Sequence, residues 1–163
     1  MADVATFVLL LGRLSRLNEA TVAEATADHG TTPAEVRVLS LLAHRERGQA
    51  SPSDIASFVV QTSGGLTATL RRLENDGLIE RIADPSDGRG RLVVLTKRGR
   101  EFHTRVLDAV TQRIERALKS VDLDRADIVV RELLGAFELD HGSPSSAGFV
   151  AGASYIPTEF LEN

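Results

Sequence analysis

The stretch that most constrains the fold is one where a helical period hands over to a strand period with no linker between them. "TSGGLTATLRRLENDG" (Thr62–Gly77) sets Leu66, Leu70 and Leu73 along one helical face, and Gly77 supplies the stop. "LIERIA" (Leu78–Ala83) follows at once, and "RLVVLT" (Arg91–Thr96) repeats the β-prone character a little further on. Between them "DPSDGRG" is turn chemistry throughout. Just upstream, "SPSDIASFVV" opens with Ser51 as a helix cap and Pro52 at the first helical position, and predicts a short helix burying Ile55, Ala56 and Val59. Two short helices joined by a tight turn and followed by a β-hairpin are the organisation of a winged helix-turn-helix.

The rest of the chain reads as helices around that unit. Residues 3–28 carry Phe7, Leu10, Leu11, Leu14, Leu17 and Thr21 on one stripe, closed by His29-Gly30. "TTPAEVRVLSLLAHRERG" has Thr32 as N-cap, Pro33 at the first position and Glu35 three residues after the cap; Val36, Leu39, Leu42 and Ala43 form its buried face, and Gly48 ends it. A long helix from Lys97 to Val121 spaces Phe102, Val106, Val110, Ile114 and Leu118 at near-heptad intervals. Asp122 or Asp124 caps a last helix holding Ile128, Leu133, Leu134 and Phe137. The expected fold is mainly α with a small β-hairpin: a winged helix-turn-helix with flanking dimerisation helices. Its expected divisions are an N-terminal dimerisation helix (1–30), a winged helix-turn-helix lobe (31–99), C-terminal dimerisation helices (100–140) and a Gly/Ser-rich tail (141–163). The flanking helices, at 3–28, 97–120 and 124–139, are too apolar to be left facing water. Cover by a second copy under two-fold symmetry is the favoured reading, and intramolecular packing into a helical monomer is the alternative.

Composition removes several functions. The 163 residues include no cysteine, which excludes disulfides, thiolate metal sites and cysteine nucleophiles. Aromatic residues make up 4% and Trp is absent, so nothing offers a stacking platform for single strands. The histidines at 29, 44, 103 and 141 show no ligand spacing within one element, so no metal is expected, and no cofactor. With no Gly-rich phosphate loop and no paired carboxylates in a credible cleft, an enzyme is not expected. "FVLLLG" (Phe7–Gly12) has no basic residue before it and is interrupted by Arg13 and Arg16. No apolar run approaches the ~18 residues that span a bilayer, so the chain reads as cytoplasmic, with no membrane partner.

Charge distribution points to a polyanion. The formal net charge is −4, yet Arg71 to Arg100 holds eight Lys/Arg against five Asp/Glu, a local +3 that leaves the remainder at −7. Double-stranded DNA has a major groove that admits a helix and a narrow, negative minor groove that attracts arginine. Thr62 and Ser63 are placed to cap the second short helix and donate to phosphate. Gly64 and Gly65 cost that helix roughly 1 kcal/mol each relative to Ala, which suggests close approach to a partner, with a loose N-terminus as the alternative. Thr67 and Ala68 are suited to thymine methyls, and Arg71 to guanine or phosphate. Arg71 and Arg72 are otherwise a solvated face, paired within the helix to Glu74 or to Asn75-Asp76. At the hairpin tip Arg89 and Arg91 are placed for the minor groove. Gly88 and Gly90 allow close backbone approach, and Asp84 and Asp87 brace the turn. A solvated turn with incidental charges is the alternative.

These residues resemble the MarR family of bacterial transcriptional regulators over roughly positions 5–138. The most specific part is "LxxLExxGLIxRxxDPxDxR…VxLTxxG", with Leu70, Leu73, Glu74, Gly77, Leu78, Ile79, Arg81, Asp84, Pro85, Asp87, Arg89, Val93, Leu95, Thr96 and Gly99 in step. The resemblance implies a homodimeric winged helix on pseudo-palindromic operator DNA, wing arginines in the minor groove, and a ligand pocket between the dimerisation helices and the DNA-binding lobe. It implies, too, a repressor released by a small-molecule effector, aromatic or a carboxylate. Arg13, Arg16 and Arg37 lie near where that pocket would be and could hold a carboxylate; solvated or interface arginines are the alternative. Gly88 stands where many members have Arg, and the tail after Asp140 has no counterpart. A winged-helix protein-interaction module without DNA binding is the competing functional reading.

Overall fold

The computed structural model describes residues 3–59, 63–85 and 87–141, with the side chains at 63, 87–89 and 138–141 outside the description. Six helices and three strands follow in the order α1 (Val4–Ala27), α2 (Pro33–His44), β1 (Gln49–Ala50), α3 (Pro52–Phe58), α4 (Ser63–Asn75), β2 (Ile79–Asp84), β3 (Asp87–Leu95), α5 (Lys97–Ala117) and α6 (Leu123–His141). The fold is the expected winged helix with flanking helices.

Local chemistry sets the helix starts. At α2 the Thr32 hydroxyl accepts from the Glu35 N–H while the Glu35 carboxylate accepts from the Thr32 N–H, a reciprocal capping box with Pro33 in the first turn. Ser51 and Asp54 do the same for α3, again with a proline in the first turn. Asp122 accepts from the Arg125 N–H and so caps α6. At the end of α4, Gly77 takes φ +67°, and the Leu78 N–H reaches back to the Leu73 carbonyl at 2.9 Å, which turns the chain directly into β2.

The sheet differs from the expected two-stranded hairpin. Its order is β1-β3-β2: Gln49 and Ala50 pair with Val94 and Val93 and add a third, two-residue strand. The turn is also shorter than "DPSDGRG", because β2 runs to Asp84 and β3 begins at Asp87. Between the pairs Ala83↔Arg91 and Asp84↔Asp87, β2 advances one residue while β3 advances four. Positions 88–90 are therefore the excess, a bulge that two glycines accommodate.

One core lies among α2, α3, α4 and the sheet: Leu39, Leu42, Ile55, Leu73, Ile79 and Val93 are essentially inaccessible. Ala56, expected inside, is exposed; Phe58 packs against this core from α3. A smaller cluster of Ala25, Val36, Val106 and Val110 joins α1, α2 and α5. Gly99 locks the two parts together at the base of the sheet, where a Cβ would stand 2.0 Å from the Leu78 carbonyl oxygen. Arg113 of α5 pairs with Glu24 and, at 3.3 Å, with Asp28 at the end of α1. The N-terminal half of α1 and all of α6 stay open: Leu9, Leu10, Leu14, Ile128 and Val130 are each at least half exposed, and no described side chain of α6 is buried. A largely apolar groove of about 670 Å³ runs between them, lined by Phe7, Leu10 and Leu14 on one side and Val129, Val130 and Leu133 on the other. No helix among the described residues is long and apolar enough to cross a membrane.

Candidate nucleic-acid interface

The second helix of the helix-turn-helix, α4, is divided cleanly. Leu66, Leu70 and Leu73 seal its inner face. Gly64, Thr67, Ala68 and Arg71 are all exposed, and their spacing of three, four and seven residues places them on one outer stripe. The stripe is small-featured except for the guanidinium at its end. A Cβ at Gly64 would meet nothing within 4 Å among the described residues, so none of them requires a glycine there. Gly65 is half-buried. Thr62 lies outside the described residues, as does the side chain of Ser63.

The cations of this region fall into two groups. Arg72 turns away from the stripe and pairs across to α2, its Nε 3.1 Å from the Glu35 carboxylate; no intrahelical pair forms. Glu35 is buried, and it also accepts from the Thr31 hydroxyl at 2.9 Å. Arg81 pairs with Glu74 at 3.3 Å. Arg71 and Arg91, by contrast, are exposed and have no carboxylate partner among the described residues. Arg91 sits on β3 next to the bulge, opposite Ala83. Asp84 is half-buried at the same irregularity, while the side chains of Asp87 and Arg89 lie outside the described residues.

Of the arginines expected to hold a ligand, Arg13 and Arg16 are exposed on α1 and Arg37 is half-buried on α2, and none lines the α1–α6 groove or the smaller concavity beside Phe102. Sequence reading missed a polar link at the seam between α2 and α5, where the Ser40 hydroxyl and His103 Nε2 are 2.8 Å apart. Burial holds the His103 pKa below its ordinary value, helped by His44 and Arg100.

A family model described as MarR family matches residues 29–90, the span that contains α2, the helix-turn-helix and most of the wing. The chain is 32% identical over 103 residues to YkoM of Bacillus subtilis (strain 168), named as an uncharacterized HTH-type transcriptional regulator. The winged-helix lobe matches the MarR family. The aligned stretch covers 63% of the chain and 66% of YkoM, just under two thirds of that relative's length. Among solved MarR-family structures, Sco3205 from Streptomyces coelicolor, in complex with DNA, superposes with a TM-score of 0.73 at 21% identity, covering 90% of this chain and 93% of that one. NadR in complex with 4-hydroxyphenylacetate superposes at 0.62 and 21% identity, over 83% and 93% of the two chains. At such identity these likenesses speak for the MarR fold. The family's "LTxxG" motif acquires a physical reason here: Thr96 caps α5 through the Gly99 N–H and donates to the Gly77 carbonyl, and Gly99 leaves room for the Leu78 carbonyl.

Proposed function

We propose that this chain is a cytoplasmic transcriptional regulator that binds double-stranded DNA as a homodimer, with α4 in the major groove and the β2–β3 wing at the adjacent minor groove. The observation that carries the reading is the outer stripe of α4. Gly64, Thr67, Ala68 and Arg71 are held outward by a sealed leucine face, with Arg91, which has no carboxylate partner among the described residues, on the neighbouring wing. Thr62, Ser63, Gly65 and Arg89 belong to the same surface in this reading, and Asp84 and Asp87 brace it. The open α1–α6 face supports the dimer: it leaves several large apolar side chains in water that a two-fold partner would cover. Two copies then present their recognition helices about one DNA turn apart, ~34 Å, to a pseudo-palindromic operator. The chain acts as a repressor that a small-molecule effector releases by favouring another spacing. That Sco3205 was solved with DNA and NadR with 4-hydroxyphenylacetate supports both halves by kinship.

The test is selection of bound fragments from genomic DNA, followed by gel-shift titration over a range of salt. Counterion release predicts a steep log–log fall in affinity with salt. Arg71→Ala and Arg91→Ala should each weaken binding by roughly tenfold or more, consistent with ~1–3 kcal/mol per good contact. A chain that selects no duplex, or whose shift ignores ionic strength, is a protein-interaction module instead.

A further inference from the structure

The ion pair between Glu35 and Arg72 is lopsided. The Glu35 side chain is 4% exposed and that of Arg72 57%. On the buried side the carboxylate is fixed from three directions. One oxygen accepts from the Thr31 hydroxyl and the Thr32 N–H, each at 2.9 Å, and the other meets Arg72 Nε at 3.1 Å. A carboxylate held in this way holds the guanidinium in turn, by its inner edge. Even a two-bond pairing through Nε and one Nη leaves three of the five guanidinium donors for another acceptor. No other ion pair to Arg72 forms among the described residues.

The place of Arg72 says which acceptor. It follows Ala68 by four residues, so it stands on the flank of the outer stripe, one turn nearer the C-terminal end of α4. At ~1.5 Å per residue it lies roughly 12 Å along the axis from Gly64. Helix-turn-helix proteins meet base edges with the N-terminal residues of this helix, in a major groove ~8.5 Å deep. A guanidinium that far along and to the side is level with the rim of the groove, where the phosphates lie, and not with its floor.

We propose that Arg72 grips one phosphate of the DNA backbone in each half-site, and that Glu35 is its positioning residue. The phosphate takes the outer donors while the carboxylate keeps Nε, so the buried acid stays paired in the complex. A guanidinium suits this two-sided use because its donors lie in one rigid plane, and its bonds to phosphate are charge-assisted. The contact carries no sequence information; it sets the register of α4 in the groove and adds affinity for any duplex. This inference rests on the DNA binding proposed above.

The experiment uses the Glu35→Gln/Arg72→Gln double variant of the full chain. It removes one charge of each sign, so the formal net charge stays at −4, and it leaves no unpaired carboxylate in the core. Gel-shift titrations between about 50 mM and 200 mM salt compare a selected duplex with a scrambled one of equal length. With two phosphates per dimer at ~0.9 each, the log–log salt slope should shrink by about 1.8. Affinity at 0.1 M salt should fall by roughly tenfold to a hundredfold, and by the same factor on both duplexes. Glu35→Gln alone keeps the charge of Arg72 but frees its inner edge; it should retain the slope and lose several-fold in affinity on both. Arg72→Lys, which keeps the charge without the fork, should behave likewise, and unfolding midpoints confirm that each variant folds. A double variant with the parent's slope, or a loss confined to the selected duplex, overturns the phosphate contact. Glu35→Gln or Arg72→Lys at the parent's affinity or better overturns the positioning by Glu35. A parent chain that takes up no duplex overturns the proposed function and this contact with it, whereas an unchanged slope in the double variant of a chain that does bind overturns the contact alone.

Discussion

Leu66, Leu70 and Leu73 on α4 and Leu10, Leu14 and Leu17 on α1 obey the same helical spacing and end in opposite surroundings. The first three are 7%, 3% and 1% exposed; the second three are 59%, 60% and 57% exposed. On α4 the leucines meet α2 and the sheet, which the same chain delivers. On α1, Leu10 and Leu14 face a groove whose other wall, α6, is itself uncovered. An apolar stripe states that a face needs cover; it does not say which chain supplies it. The winged-helix lobe answers the demand internally, and among the described residues the flanking helices leave it open; in the proposed dimer a second copy answers it.

Paired substitutions should separate the two regions most sharply. Leu73→Ala removes volume from the sealed core and should cost about 2–5 kcal/mol, read as a lower midpoint of urea unfolding. Leu14→Glu leaves that core untouched and should act on mass. Light scattering should report two chains for the parent protein and one for the variant across about a hundredfold range of concentration. A Leu14→Glu protein that keeps the parent's mass breaks the comparison, because α1 would then have some other cover.

Two glycines give a smaller version of the same contrast. At Gly99 a Cβ would meet the Leu78 carbonyl oxygen at 2.0 Å and carbon at 2.9 Å, backbone atoms that cannot step aside. Gly99→Ala should cost about 1–3 kcal/mol by overpacking, at the upper end of that range. At Gly135, on α6, a Cβ meets nothing within 4 Å of the single chain. Gly135→Ala should stabilise by up to about 1 kcal/mol through helix propensity. A loss there, measured by thermal unfolding, would put the second copy's backbone against that point and so sharpen the account of the open face.

What sequence reading captured is local in origin. Thr32-Pro33 and Ser51-Pro52 fix helix starts through groups at most three residues apart, and the leucine stripe of α4 fixes its inner face and, by subtraction, the outer stripe at Gly64, Thr67, Ala68 and Arg71. What it missed depends on contacts between distant segments. Gln49 and Ala50 carry no strand period and become β1 only by pairing with Val94 and Val93. Ala56 and Phe58 lie on one short helix whose orientation is decided by the core it joins. An intrahelical pair is the alternative reading for Arg71 and Arg72, but the acid that Arg72 meets lies on α2.

The seam between the two regions offers the smallest expected effect and a test of how they are coupled. His103 on α5 is buried against Ser40 on α2, with His44 of α2 and Arg100 of α5 as the charged or titratable groups that face it. Burial is the main reason its pKa lies below the ordinary value of 6.5, and the nearby positive charge of His44 and Arg100 adds to it. Above that ordinary value both folded and unfolded chains hold the ring neutral, and the link contributes in full. As pH falls through it, the unfolded chain takes up a proton first, so stability declines until the lower folded-state value is passed and then levels off. Unfolding midpoints taken between pH 8 and pH 5 (roughly the window in which a histidine titrates) should therefore drop toward acid. His103→Gln should flatten that part of the curve, since glutamine can still meet the Ser40 hydroxyl but binds no proton. If the midpoint rises toward acid, or the slope survives in His103→Gln, the seam is not held by a neutral ring, and the contact between the lobe and the flanking helices is carried by the apolar packing of Val36, Phe102, Val106 and Val110 and by the junction at Gly99.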